Sequence, residues 1–454
     1  MDVNFISYIR VVGLFGDRTI EVQFDSDEPI TALYGPNGSG KSTLLKILNA
    51  VFSEKAFDQL FQIQFEEIEI EFESGNALVV KKDFRAEGSS SSKKVFEVIG
   101  FWDEDPLKAR EIVREVITVE VYEGSSRQYS REFRRKSDWA QWFDDDRLVQ
   151  RQVRRNVLDA LNEREGVNLF DVIRSEKAPL FIQTDRLTEV AKGTTQSASR
   201  DTVEVASEDL ASHIQRSMAD QGKHSNSNQF DLLESIRGLD SADDSDSILD
   251  WETPRREIHN MEIRLAALDL VGHPGEFKEV EVPNLHLSHQ KILTDFYKSQ
   301  KAKLTFFEED AAKIEACIQI LNSKFGSFEL PKPHQKFIKP DRVEGYQVFR
   351  NSAIGESASK LQLSELSSGE KHILVLIHKL IFSEQEKARP SLFLIDEPEL
   401  SLHVEWARQL KSDFEHIQSQ FGGQFIYATH SPILCSGNAA PVVISEFAKR
   451  TNSD

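Results

Sequence analysis

Gly35, Pro36, Asn37, Gly38, Ser39, Gly40, Lys41 and Ser42 follow the pattern G-x-x-x-x-G-K-[ST], with the apolar run TALY before them and the helical run TLLKIL after. Glycines at these steps let successive backbone N–H groups turn inward around phosphate oxygens, where side chains would intrude. Lys41 is placed to bridge the β- and γ-phosphates of a nucleotide. Ser42 offers a hydroxyl to Mg²⁺, Thr43 completes the phosphate-binding set, and the helix starting there turns its positive dipole end to the anion. A second set of chemistry-bearing residues closes the run Ser391-Leu-Phe-Leu-Ile-Asp396-Glu397. An apolar, β-branched run ending in two carboxylates is the pattern of a buried parallel strand that delivers acids at its C-terminal edge. There Asp396 can hold Mg²⁺ and Glu397 can accept a proton from an attacking water.

Several elements must position these groups. From Phe5 to Ile30 apolar runs alternate around Gly16 and Asp17, a strand and hairpin signature, and TALYGPNGSGKSTLLKIL reads as strand, loop and helix. EEIEIEFES and NALVVKKDF flank the turn pair Gly75-Asn76, so an antiparallel sheet layer is expected beside the parallel one. Arg147 to Glu163 reads as helix and PLFIQTDRL as a further buried strand. The Ser/Thr/Gly-rich stretch KGTTQSASRDT marks a domain boundary. From Val203 to Phe325 the pattern is helical, interrupted by the acidic loop LDSADDSDS. Its longest piece, Leu285 to Phe325, carries Ile292, Phe296, Phe307, Ala311, Ile314, Ile318 and Leu321 on one face, an amphipathic or coiled-coil arm of about 60 Å if unbroken. KFIKP, YQVFR and LQLSEL return to strand patterns, and QFIYATH reads as a strand before His430. The organisation expected is an N-terminal lobe with the phosphate loop (1–198), a helical insert (199–330) and a C-terminal lobe (331–454), in the α/β class.

Composition narrows the alternatives. Charged residues are 29% and apolar residues 39%, the balance of a water-soluble globular protein, and no stretch approaches the ~20 apolar residues that span a bilayer. MDVNFISYIR lacks the basic and apolar regions of a secretory leader, so the chain is expected in the cytoplasm without a membrane partner. Cys317 and Cys435 are too few for a disulfide framework or a four-cysteine zinc cluster. With 55 Lys plus Arg against 75 Asp plus Glu the net charge is -20, so any nucleic-acid contact must come from a local patch.

The order of the phosphate loop, Leu366-Ser367-Ser368-Gly369-Glu370, LIDEPELSLH and Ala428-Thr429-His430-Ser431 resembles the ABC-type ATPases of the SMC, Rad50 and OLD branch. The resemblance implies an ABC-type ATPase head, a parallel RecA-like sheet plus an antiparallel β subdomain, split by a helical or coiled-coil insert and hydrolysing ATP with Mg²⁺. It implies that Ser367 and Gly369, at a helix N-terminus, contact the γ-phosphate bound by a second protomer, that Glu397 and His430 act in hydrolysis, His430 as the switch histidine, and that Ser401-Leu402-His403 is a D-loop lining a dimer interface. No clear Q-loop glutamine follows the phosphate loop. Gln183 is the best-placed residue, and an ordinary polar strand residue is an equal reading.

The span from Lys41 to Ser367 exceeds that of a transporter ATPase, and the insert has no C-x-x-C for a zinc hook. OLD nucleases continue past the switch histidine into a TOPRIM domain, whereas this sequence reaches Asp454 first, so the nuclease is expected on another chain. Size and helical insert resemble the ATPase subunits of bacterial anti-phage systems of the PARIS and Septu types. That resemblance implies a homo-oligomeric switch with composite ATP sites that controls a separate effector nuclease. The rival readings are a DNA-repair or chromosome-maintenance ATPase of RecF or SMC character, and a scaffold in which ATP binding matters more than turnover. Arg131, Arg134, Arg135, Lys136 and Arg147, Arg151, Arg154, Arg155 concentrate positive charge. DNA, RNA, an acidic partner or a merely solvated face all stay open for them.

Overall fold

The computed structural model describes residues 5–25, 28–53, 56–86, 113–134, 179–184, 188–190, 199–237, 252–274, 287–326, 335–351, 358–383, 391–435, 439–441 and 443–446. The helix expected over Arg147–Glu163, the acidic loop 239–247, and Arg135, Lys136 and Arg147 to Arg155 lie outside the described residues. Two compact units divide the chain. Met1–Thr184, Glu384–Leu400 and Ala407–Asp454 form the first, and Asp185–Ser383 with Ser401–Trp406 the second.

The first unit holds two sheets. β1 (Ile6–Leu14), β2 (Arg18–Gln23), β4 (Glu67–Phe72), β5 (Asn76–Ala86), β6 (Val113–Glu123), β7 (Ser126–Arg134) and β17 (Val443–Glu446) make an antiparallel sheet in the order β17-β2-β1-β4-β5-β6-β7. β3 (Ile30–Tyr34), β8 (Pro179–Ile182), β14 (Leu392–Asp396), β15 (Gln424–Thr429) and β16 (Ala439–Pro441) make a parallel sheet in the order β16-β3-β15-β14-β8. β14 and β15 are buried along their whole length, which is why both read as continuous apolar runs rather than alternating ones. The glycine-rich loop leads into α1 (Lys41–Phe52), whose Leu44, Leu45, Ile47, Leu48 and Val51 join Ile9, Val11 and Ile20 of the antiparallel sheet and Leu392, Leu394 and Ile426 of the parallel sheet in one core. Burying a side chain of this size contributes roughly 1.5–3 kcal/mol each, so this core fixes the start of α1 and the ends of the strands beside it.

The second unit is built from α2 (Thr202–Arg237), α3 (Glu252–Ala267), α4 (Leu287–Thr305), α5 (Glu308–Phe325) and α6 (Ser368–Phe382), the small ladder of β9 (Thr188–Val190) with β10 (Ser199–Asp201), and a sheet β11-β12-β13 (Lys336–Asp341, Gly345–Arg350, Ser359–Leu361). α2 packs on α4, α6 and β12, and α5 packs on α6 and β11. Two expectations are corrected here. The stretch Leu285–Phe325 is not one long rod but two helices. Its apolar stripe breaks where Phe307 turns inward, 3% exposed, beside Phe306 at 36%, and where Glu308, Glu309 and Asp310 supply the acidic first turn that starts a new helix. LQLSEL is a strand only to Leu361. Gln362 and Glu365 then form a capping box, the Gln362 N–H donating to Glu365 Oε2 at 2.7 Å, which diverts the chain into a short 3₁₀ turn.

α6 is fastened by a polar chain that is buried from Cys317 to His378 and ends on the exposed Asp209. Cys317 Sγ lies 3.1 Å from Tyr346 Oη, Tyr346 Oη 2.9 Å from His378 Nδ1, and His378 Nε2 3.1 Å from Asp209 Oδ2, linking α5, β12, α6 and α2. Burial pushes the Cys317 thiol up to about 12, so this cysteine is a packing group rather than a nucleophile. Among the described residues no helix is long and apolar enough to cross a membrane.

Candidate active site

The parallel register places three chain segments distant in sequence on one sheet edge. Thr429 pairs with Tyr34, and Asp396 with Ala428, so the phosphate loop, the acidic pair and His430 all emerge from the C-terminal ends of adjacent strands β3, β14 and β15. Ligands of open parallel sheets bind at that edge.

The phosphate loop turns on Gly40, whose φ of 92° is left-handed, and where a Cβ would lie 2.5 Å from Ile20 Cδ1. Only glycine therefore serves at this step. Gly35 is half-buried, Pro36, Asn37 and Gly38 are exposed, and Ser39 is buried, its N–H donating to Pro36 O at 3.1 Å. α1 begins without a side-chain cap and without an acid in its first turn, so its leading N–H groups keep their affinity for an anion. Thr43 is half-buried in that turn. Lys41 is 4% exposed, and its ammonium donates to Gly35 O at 2.7 Å and Pro36 O at 3.2 Å. Burial holds the Lys41 ammonium below its ordinary 10.5 despite the opposing pull of Asp396 and Glu397.

Lys41 Nζ also lies 3.4 Å from His430 Nδ1, and His430 Nε2 lies 3.7 Å from Glu397 Oε1. An ammonium can only donate, so Nδ1 is the acceptor in the contact with Lys41, and Nε2 is the ring nitrogen nearer Glu397. Lys41, His430 and Glu397 thus form one line along the sheet edge. Glu397 stands at φ 48°, a left-handed conformation that a side chain makes costly; its N–H donates to Ala428 O at 2.9 Å and its carbonyl accepts from Leu400 N at 3.1 Å, which together hold the strained backbone. Asp396, 8% exposed, accepts from Ser42 Oγ on Oδ1 at 2.8 Å and from Thr184 Oγ1 on Oδ2 at 3.2 Å.

Two residues here went unread in the sequence. Thr184, at the end of β8, makes the contact to Asp396, while its neighbour Gln183 is exposed. Glu399 accepts from Thr429 Oγ1 at 2.6 Å and from the His430 N–H at 3.2 Å. The signal for Glu399 was its place two residues after Glu397; for Thr184 nothing but its position beyond an apolar strand pointed to it.

Ser367 and Gly369 lie in the second unit, at the start of α6. Ser367 is the N-cap, its Oγ accepting from the Glu370 N–H at 3.3 Å while its own N–H donates to Glu370 Oε2 at 2.8 Å. Lys336 clamps the same carboxylate at 2.8 and 2.9 Å. Ser367 and Ser368 are exposed. A Cβ on Gly369 would fall 2.7 Å from the Ser401 carbonyl, so that position requires glycine for close approach of the Ser401-Leu402-His403 segment; three residues on, Trp406 stacks on Phe325 at 6.2 Å. His403 is exposed, its Nδ1 accepting from the Glu405 N–H at 3.4 Å.

A family model for an AAA ATPase domain (AAA_15) matches residues 15–435. The chain belongs to this ATPase family. The chain is 25% identical over 153 residues to the spermidine/putrescine import ATP-binding protein PotA of Borrelia garinii subsp. bavariensis, covering 31% of this chain and 42% of that one, and 24% identical with the same coverage to PotA of Borreliella afzelii. It therefore spans less than half the length of these curated relatives. Among solved structures it is similar to an SMC head bound to the C-winged helix domain of ScpA, at 14% identity and TM-score 0.35 over 97% of this chain and 98% of the other, and to the SMC head domain from Thermotoga maritima, at 14% identity and TM-score 0.32 over 97% and 99%. The glycine-rich loop, with its buried lysine and uncapped helix start, lies within the span that the family model matches.

Proposed function

We propose that this ATPase is an oligomeric switch in which two copies share each ATP, one supplying the phosphate loop and acidic pair and the other the N-terminus of α6. The observation that carries the hydrolytic part is the Lys41–His430–Glu397 line on the sheet edge, with Glu397 held in a strained conformation beside it. In this reading the phosphate-loop amides and Lys41 bind the β- and γ-phosphates. Ser42 and Asp396 are the residues that would hold Mg²⁺. Their hydroxyl and carboxylate, already 2.8 Å apart, are a fitting donor pair. Bound Mg²⁺ neutralises phosphate charge. Glu397 takes the proton of the water whose oxygen attacks the γ-phosphorus as the bond to the bridging oxygen breaks, and His430 stands beside the γ-phosphate. Ser367 and the amides after it serve the γ-phosphate of the neighbouring copy, a role that their exposure permits.

At the level of the cell, the reading is a regulatory ATPase of a bacterial anti-phage defence system, with a separate effector nuclease as its partner. Its support is the resemblance set out above and the net charge of -20, which favours a protein partner over nucleic acid. Two experiments test these levels. Ser367→Arg and Lys41→Ala chains are each inactive alone in this reading, and their mixture regains part of the ATPase activity because one composite site then pairs two intact halves. No recovery despite demonstrated subunit exchange refutes the shared site. Retention of duplex DNA in a gel shift at physiological salt refutes the protein-partner reading in favour of a DNA-maintenance ATPase.

A further inference from the structure

The imidazole of His430 is gripped weakly by its own contacts, 3.4 Å to Lys41 and 3.7 Å to Glu397, and the side chain is 40% exposed. What holds the histidine in place must therefore be its backbone, and that backbone is tied to one carboxylate oxygen. Glu399 Oε1 accepts from the His430 N–H at 3.2 Å and from Thr429 Oγ1 at 2.6 Å, and the same Thr429 hydroxyl accepts from the Ser431 N–H at 2.9 Å. Thr429 is fully buried. Thr429, His430 and Ser431 are thus all fastened, directly or through one hydroxyl, to a residue two positions beyond Glu397. Because Glu397 and Glu399 share one loop, this stitch also sets the separation between the acid and the histidine. The second oxygen, Glu399 Oε2, is buried and has no hydrogen-bond partner among the described residues. Oε1 is thus the oxygen through which Glu399 holds Thr429 and His430.

We propose that Glu399 is a positioning residue for ATP hydrolysis, holding the backbone of His430 so that the imidazole stays between Lys41 and Glu397. The proposal rests on the reading that His430 acts beside the γ-phosphate. It places no atom of Glu399 on the nucleotide, so its removal affects turnover and spares binding.

The test is a double-mutant cycle in the full chain, read as kcat together with ATP affinity by filter binding. Glu399→Ala lowers kcat by about 10²-fold, the cost of a misplaced group in a positioned site, with ATP affinity changed less than about threefold because Lys41 and the loop amides are untouched. Glu399→Gln keeps an oxygen acceptor for both bonds and retains most of the turnover. In a His430→Ala background, Glu399→Ala costs less than about twofold further, since the group it positions is already gone. A purely structural residue would instead impose the same loss in both backgrounds, and that additive outcome overturns the proposal, as does wild-type kcat in Glu399→Ala. If Glu399→Ala fails to fold, Thr429→Val removes the same hydroxyl stitch and carries the same cycle. A His430→Ala chain that hydrolyses ATP at the wild-type rate refutes the underlying reading of His430, a failure distinguishable from the others because it appears before Glu399 is altered.

Discussion

Replacing Lys41 by Met separates what the lysine does for the nucleotide from what it does for the fold. The side chain is 4% exposed, its ammonium rests on the carbonyls of Gly35 and Pro36, and among the described residues no carboxylate lies within ion-pair distance of it. Met keeps the length and volume of the stem but removes the charge. Two charge-assisted bonds are lost, worth roughly 1.5–3 kcal/mol each, while the desolvation of the ammonium, several kcal/mol for a buried ion, is relieved. These terms nearly cancel, so the melting temperature of the nucleotide-free protein should stay within about 3 °C of wild type. With ATP at 100 times its dissociation constant, binding adds about 2.7 kcal/mol of stability, or a rise of roughly 5–10 °C for a unit of this size. Lys41→Met should show none of that rise. The pH dependence has a fixed sign. Folding lowers the Lys41 pKa below 10.5, so the folded chain binds this proton less tightly than the unfolded one. The lysine therefore costs stability while it is protonated in the unfolded chain, and the cost fades as pH climbs through the folded value toward 10.5. Wild type gains on Lys41→Met over that alkaline range. Differential scanning fluorimetry with and without ATP, repeated from pH 7 to 10, measures all three quantities. A full ATP-dependent shift in Lys41→Met, or a collapse of its nucleotide-free stability, would refute the argument.

Glu397→Gln should bind ATP with near wild-type affinity and stop turnover, accumulating ATP-bound assemblies detectable by analytical ultracentrifugation; hydrolysis at near the wild-type rate would remove Glu397 from its role. Glu397→Gly should also stop turnover yet raise stability by about 1 kcal/mol, because glycine relieves the left-handed backbone at φ 48°; a lower denaturation midpoint would show that the strain is not carried there. Asp396→Ala removes the acceptor of both Ser42 and Thr184 and should cost roughly 1–3 kcal/mol while abolishing the difference in ATP affinity between Mg²⁺ and EDTA; an unchanged metal dependence would place the ion elsewhere.

The legible part of this protein was the part written in local pattern. The glycine spacing from Gly35 to Gly40 names its own backbone requirement, and the continuous apolar runs before Glu397 and His430 declare strands buried on both faces. The antiparallel layer was readable from alternation and from the Gly75-Asn76 turn. What the pattern could not supply was the interruption of a good pattern. Leu285–Phe325 keeps helical spacing throughout, and the break comes where Phe307 turns inward and Glu308, Glu309 and Asp310 start a new helix.

The same limit explains Thr184 and Glu399. Each acts through a partner more than two dozen residues away, Thr184 on Asp396 and Glu399 on Thr429 and His430, and each is joined to that partner by neighbouring strands of the parallel sheet. Strand order is a tertiary fact with no local signature. Once β15 is known to lie between β3 and β14, the roles follow from register alone. A residue just past β14 faces the end of β15 on one side, and a residue just past β8 faces the end of β14. The groups proposed for catalysis could be named from motifs because their chemistry restricts residue type. The groups that aim them are restricted only by geometry, so an acid or hydroxyl one strand over is where this fold keeps the functional residues that sequence reading passes by.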